Sequence, residues 1–528
     1  MLQPSFRTAI YGLSLGKSPK TTRNFSPPIL AHWPGDAGRG ATILDGDFEL
    51  AGKAILETDT PWRASTASAR WRAKVAQFDW LSDLHALGTH SARERARRLI
   101  IKWIETDGNW NSITWRSSAL ASRLANWIRH SEFFLAGSDE SFRETFISSL
   151  RRQARHLGRI APFSPLGTER IINLKGLIFT DIALNEGARL EKLGLKLVLE
   201  IQKLILPDGF NAELNPSQQL VLLRDLIDIR ESYFALQITP PEQLTNAIQE
   251  MAPMLRFFRH GDGMLALFNG GVEEEGWLID VVLERANAAG KPPASAVISG
   301  FERLQVNRTL VLMDTGKSTT PGPDRNAHAG ALSFELSVGK ERLIVNCGAH
   351  MGDSKDWRLA QRTTAAHSTV SVENINSAEI IRSGGLGNRP RNTECKRQER
   401  DGQIWIDAEH DGYKPTFGLL HRRRLHLNSS GNVLRGEDTV SGRSGLKFTA
   451  RFHLHPGVRA SLVNDGRAVL LRLPAGGGWR FQAQGGAINL QESVYLGAGD
   501  RVKRTNQIIV SAATGYGDNP LKWMLSKV

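Results

Sequence analysis

GKPPAS, residues 290–295, divides the chain into two halves with different periods. Its paired prolines follow Gly290 and Lys291. Proline lacks a backbone N–H and fixes φ, so neither a helix nor a central strand runs through. Upstream, "ARLEKLGLKLVLEIQKLIL" (188–206) sets Leu190, Leu193, Leu197, Ile201 and Leu204 on one face at helical spacing. "PDG" (207–209) ends that helix. "NPSQQLVLLRDLIDIRESYFAL" (215–236) starts the next, with Asn215 as N-cap and Pro216 at the first helical position. Its apolar stripe includes Leu220, Leu223, Ile227 and Phe234. Residues 60–260 read as successive helices with short joints, the pattern of hairpins packed side by side. Downstream come short β-rich runs cut by Gly, Asn and Asp: "RTLVLMD", "ALSFELSV", "RLIVNCG", "STVSVEN", "QIWIDAEH", "AVLLRLP" and "QIIVSAA". Strands at that spacing predict a β-sandwich.

The 528 residues exceed one ordinary core, so more than one domain is expected. The boundaries read as an N-terminal extension over 1–50, a helical domain over 51–290 and a β-sandwich domain over 291–528. A hydrophobic content of 41% and a charged content of 23% are globular values and exclude wholesale disorder. No apolar run reaches the ~18 residues of a membrane span. The first 28 residues are basic and acid-free, but "AIYGLSLG" is short and broken by glycine, a poor signal-peptide core, which points to the cytoplasm. Cys347 and Cys395 read as unpaired thiols. The net charge of +13 suits nucleic acid, an anionic polymer or an acidic envelope. The arginines are scattered and no nucleic-acid signature accompanies them, so nucleic acid is set aside. "TGKST" (315–319) and "LGKS" (15–18) are not phosphate loops, because Val311 and Tyr11 stand where the first glycine belongs.

The β half resembles the C-terminal domain of the heparinase II/III-like family. The resemblance lies in "HAGALSFELSVGKERLIVNCG" (328–348), "TTAAHSTVSVE" (363–373), "AEHDGY" (408–413) and "FHLHPGV" (452–458). The helical half adds "WRSSALASRLANWI" (115–128), "NLKGLIFTDIAL" (173–184) and "LPDGFNAELNPSQQLVLLRDLIDI" (206–229). The resemblance implies an incomplete α/α toroid followed by an antiparallel β-sandwich, with a groove between them. It also implies bacterial polysaccharide lyases, carbon–oxygen lyases that cleave uronate-containing, glycosaminoglycan-like chains by β-elimination. It favours the cell envelope or periplasm, against the plain reading of the N-terminus. Removing a uronate C5 proton builds charge on the carboxylate, so a neutralising donor and a base are required.

Candidate residues follow. His367, between small residues and an alternating strand, resembles a groove histidine acting as base or carboxylate neutraliser; a packed histidine is the other reading. Tyr413 is a reserve proton donor, or a core tyrosine with a satisfied hydroxyl. Arg123, with Trp115 and Trp127 on or near one helical face, offers stacking and ion pairing to an acidic sugar, or else helix packing. The family's Asn-His pair falls on Thr168 and Glu169, and its Tyr on Gln218 and Gln219, which can bind sugar but cannot move a proton. Glu169 becomes a substitute base if burial raises its pKa. His328 is retained from an "H-x-D" pattern whose Asp is Gly330. His410, together with His367, is where the resemblance implies a structural zinc; metal and no metal stand level. His453 and His455 alternate and share one side of a strand, read as half-exposed. Two functions compete: a lyase acting on an acidic polysaccharide, and a non-catalytic or repurposed glycan-binding envelope protein on the same scaffold.

Overall fold

The computed structural model describes residues 25–28, 33–50, 53–56, 59–184, 189–317, 322–352, 354–499, 501–515 and 520–528. The basic N-terminal stretch with "LGKS", and the end of "TGKST", lie outside them. The chain forms two compact units. One takes the residues up to Lys203 and again Val221–Ile248; the other takes Leu204–Leu220 and Gln249–Val528.

The first unit is helical. Its long helix Glu140–Ile160 shows why: Asp139 caps it, accepting from the Phe142 N–H at 2.7 Å. Capping of this kind contributes about 1 kcal/mol. Phe142, Phe146, Leu150 and Leu157 then recur at helical spacing and are buried. The stripe expected from Leu190 to Leu204 is buried throughout. In the helix Pro216–Ala235, Asn215 accepts from the Gln218 N–H at 3.1 Å, the expected cap. Leu220, Leu223 and Ile227 are buried, but Phe234 departs from the stripe and is 52% exposed, with the Arg230 guanidinium 6.0 Å from its ring. One residue from the helix end, it has reached solvent.

The helices Ser117–Arg129 and Thr168–Ala183 pack closely at Gly176. A Cβ there would sit 2.9 Å from the Ala121 Cα and carbonyl oxygen. Gly176→Val is therefore expected to force these helices apart and cost about 1–3 kcal/mol, measured as a lowered denaturation midpoint. An unchanged midpoint would contradict the close approach.

The second unit carries two antiparallel sheets. All seven β-rich runs supply strands. The eight-stranded sheet is ordered Arg459–Val463, Ala468–Arg472, Gly478–Gln484, Leu521–Lys527, Val433–Ser441, Leu420–Leu427, Gln403–His410 and Thr393–Arg400. The other runs from Ala487–Tyr495 through Lys503–Ala513, Lys447–Leu454, Glu341–Val345, Phe334–Val338, Thr309–Asp314 and Phe301–Val306 to Ser295–Ala296, with Val370–Val372 paired to Lys447–Leu454. Their inner faces share one apolar core, in which Phe334 of one sheet stacks on Trp523 of the other at 5.4 Å. Alternation decides the faces: in Gln403–His410, Ile404, Ile406, Ala408 and His410 point inward. Cys347 and Cys395 are free thiols, as expected.

Candidate functional site

His367 follows a short 3-10 turn, Thr364–Ala366, and leads toward the strand Val370–Val372. The turn brings the Thr363 carbonyl back to the His367 ring, 2.8 Å from Nδ1. A carbonyl only accepts, so Nδ1 carries the proton and Nε2 is left with a lone pair. That Nε2 lies 3.1 Å from His328 Nδ1, which must therefore donate. His328 Nε2 keeps its lone pair, with no hydrogen-bond partner among the described residues. The two rings are nearly perpendicular, with centroids 5.2 Å apart. Asn269 Oδ1 accepts from the His328 backbone N–H at 3.2 Å. Gly330 makes room for the pair: a Cβ there would stand 2.9 Å from the His367 ring. Glycine in place of the Asp of "H-x-D" therefore lets the imidazole pack against the backbone.

A small polar cavity is lined by His328, Asn269, Asp314, Lys317 and Ser377. Asp314 accepts from the Gly316 N–H at 2.7 Å, and burial pushes its carboxyl up to about 7. This acid was not singled out from the sequence, although an Asp closing the apolar run "TLVLMD" was a readable signal.

A second relay lies deeper. His410 Nδ1 accepts from the Gly412 N–H, so its Nε2 donates to His421 Nδ1 at 3.2 Å. His421 Nε2 in turn donates to Asp438 at 2.9 Å. The Asp438 carboxylate is also held by Arg423, at 2.7 and 3.0 Å. Proposed as partners in a zinc site, His410 and His367 thus go to different neighbours. Among the described residues no three His, Cys, Asp or Glu side chains are disposed to hold a metal ion. The donor set does not fit zinc, which wants three or four protein ligands.

The remaining candidates make contacts within the protein. The Tyr413 hydroxyl is buried and donates to the Val370 carbonyl at 2.7 Å, and burial pushes its pKa up. Arg123, expected to offer its guanidinium to a sugar acid, donates instead to Gln153 and to the carbonyls of Ala76 and Thr114, and lies over the Trp103 ring at 3.9 Å. Trp115 and Trp127 pack on the same Trp103, and all three tryptophans are buried. Glu169 is half-buried and accepts from Ser117 Oγ at 2.6 Å; Thr168 beside it is buried. Gln219 is fully buried: its Oε1 accepts from the Asn211 N–H and Nδ2, and its Nε2 donates to the carbonyls of Gly209 and Met251. Gln218 is half-buried beside the Asn215 cap. His453 is buried rather than half-exposed, its Nε2 2.9 Å from the Ala365 carbonyl, and His455 follows the end of that strand.

Burial holds His328 well below its ordinary value and His367 at about 4, so both rings are neutral at pH 7. An unfolded chain takes up these protons as pH falls through ~6.5, while the folded one does not. Their contribution to stability is complete above that value and is lost as pH falls below it, for His367 between about pH 6.5 and 4. Denaturant titrations across this window should show the decline, and His367→Gln should shallow it.

The family model for the heparinase II/III N-terminus matches residues 55–284, and that for the heparinase II/III-like C-terminal domain matches residues 288–523. The chain belongs to the heparinase II/III-like family. FtsZ-localized protein C of Caulobacter vibrioides is 31% identical over 515 residues, covering 94% of this chain and 88% of that protein. The fold matches a crystal structure of heparinase III with a TM-score of 0.73 at 15% identity, over 99% of this chain and 89% of the other. It matches the chondroitin AC lyase of Streptomyces coelicolor A3 with a TM-score of 0.52 at 10% identity, over 100% and 80%. This heparinase II/III-like chain thus has the polysaccharide-lyase fold, a toroid-type helical region followed by antiparallel sheets. No helix among its described residues is long and apolar enough to cross a membrane.

Proposed function

We propose that this protein is a family member repurposed from cleavage to binding, holding an acidic, uronate-type glycan without eliminating across its glycosidic bond. The observation that carries this reading is the engagement of Gln219 and Tyr413. Gln219 has both ends of its amide bound to main chain and to Asn211, and Tyr413 donates its proton to Val370. Neither is free to protonate a leaving oxygen. The lyase fold and the net charge of +13 support an anionic glycan as ligand. The name of the 31%-identical relative, an FtsZ-localized protein, supports the same location for this chain.

A second reading has one observation in its favour. His328 Nε2, backed by His367, is a neutral base beside the small cavity. On that reading the chain is a lyase with His328 as the proton acceptor and His367 as its positioning residue. One experiment separates the two. Full-length protein is incubated with polygalacturonate, heparin and hyaluronan, and both binding and the absorbance of the unsaturated uronate product are followed. Binding without product supports the first reading. Product that disappears in His328→Ala establishes the second. A fluorescent fusion that ignores FtsZ assemblies would remove the location.

A further inference from the structure

We propose that the outer face of the eight-stranded sheet is a platform for an acidic glycan strand. Strand register lays one row of side chains across it: Gln398, Trp405, His426, Arg435, Met524 and Gln482. At the ~4.8 Å spacing of neighbouring strands the row spans about 24 Å, enough for an oligomer rather than a single sugar. The Trp405 and His426 rings stack with centroids 4.8 Å apart and planes 9° apart, and both are half-exposed. Gln403 holds His426 Nε2 at 2.8 Å, so the two rings form a fixed flat plate.

The adjoining row alternates in charge: Lys396, Asp407, Arg424, Glu437 and Lys522. Arg424 answers both acids, at 3.4 Å from Asp407 and 3.0 Å from Glu437. Arg422 adds a second contact to Asp407 at 2.6 Å. Lys396, Arg435, Arg467 and Lys522 have no carboxylate partner among the described residues. The recess these groups line measures about 970 Å³.

The unanswered cations call for an anionic occupant, and the plate calls for one with flat apolar faces. A peptide adding itself as a strand needs a free sheet edge, but the strands beneath the centre of the recess are paired on both sides. Single-stranded nucleic acid stacks successive bases on several aromatics, and this face offers one plate. Sugar rings stack on an indole, and their carboxylates or sulfates pair with arginine and lysine. The inference rests on the glycan-binding reading above and adds where the glycan lies.

The test measures affinity of the full-length protein for polygalacturonate and heparin, with dextran as neutral control and a single-stranded oligonucleotide as competitor. Trp405→Ala/Arg435→Glu should weaken binding to both acidic glycans by about tenfold or more. Arg467→Glu/Lys522→Glu, an exposed change remote from the core, carries the same expectation should the first variant fold poorly. Wild-type binding that survives both variants overturns the platform and leaves the glycan reading standing. Absence of wild-type binding to either glycan overturns both. Tighter binding of the oligonucleotide through the same residues replaces the glycan with nucleic acid.

Discussion

Asp438→Ala should remove about 3–5 kcal/mol from the stability of the β-rich unit, because it leaves a buried guanidinium without its counter-charge. Asp438 and Arg423 have no exposure. One carboxylate accepts from Arg423 Nε and Nη2, from His421 Nε2 at 2.9 Å and from Trp523 Nε1 at 2.9 Å. Arg423 Nη1 also donates to the carbonyls of Leu332 and Ser368, both at 2.8 Å, so the arginine ties main chain to the core. It cannot swing to water without breaking those bonds. Burial alone would push the Asp438 pKa up; the charge of Arg423 and the donors of His421 and Arg423 outweigh that and hold it well below the carboxylate range. Its stabilisation is therefore present at neutral pH and lost only as pH falls below ~4 toward the depressed folded value. Asp438→Asn, which keeps the shape and loses the charge, should fall between wild type and alanine. Urea denaturation followed by tryptophan fluorescence reads all three, and a loss under about 1 kcal/mol for alanine would refute the buried-pair account.

Asp228→Ala should destabilise the helical unit by a comparable amount, about 3–5 kcal/mol. Asp228 accepts from Trp33 Nε1 at 2.8 Å and lies 2.6 Å from Arg129 and 3.3 Å from Lys175, all in buried surroundings. Asp225 shares Lys175. The two acids differ in kind. Burial and the neighbouring Asp228 push the Asp225 pKa up, whereas for Asp228 the charges of Arg129 and Lys175 outweigh burial and hold it down. Asp225→Asn should consequently be the milder change. A thermal melt by circular dichroism in which the Asp225 variant loses more than the Asp228 variant would reverse this ranking.

The division into helices and strands was readable because it depends on local period and on turn residues. The stripe from Leu190 to Leu204 and the seven β runs are short-range patterns, and burial followed them. Asn215 was readable for the same reason: a cap acts over three residues. The site was less so. Arg123 with two tryptophans has one chemistry, stacking and hydrogen bonding, whether it meets sugar or Trp103. Which partner it meets depends on helices distant in sequence. Tyr413 finds its acceptor 43 residues away, and Gln219 one of its acceptors 32 residues away. The His328–His367 contact spans 39 residues, so neither local segment announced the other. Asp314 is the exception, since an acid closing the apolar run LVLM is unusual wherever it pairs.

The interleaving of the two units along the chain has a bearing on how they come into being. Leu204–Leu220 belongs with the strands, yet helical-unit sequence stands on both sides of it. During synthesis it emerges long before its partners. Asp208 must wait for the Ser299 N–H it accepts from at 2.7 Å, and Asn215 for the Asn269 carbonyl it donates to at 2.8 Å. The helical unit meanwhile needs Val221–Ile248 and must gather those residues with this segment looped out between its own parts. A chain cut after residue 290 would keep every helix up to Ala286 but leave Asp208 without its donor, the Ser299 N–H, so the helical half that the sequence separates so cleanly still carries a segment whose partner lies beyond the cut.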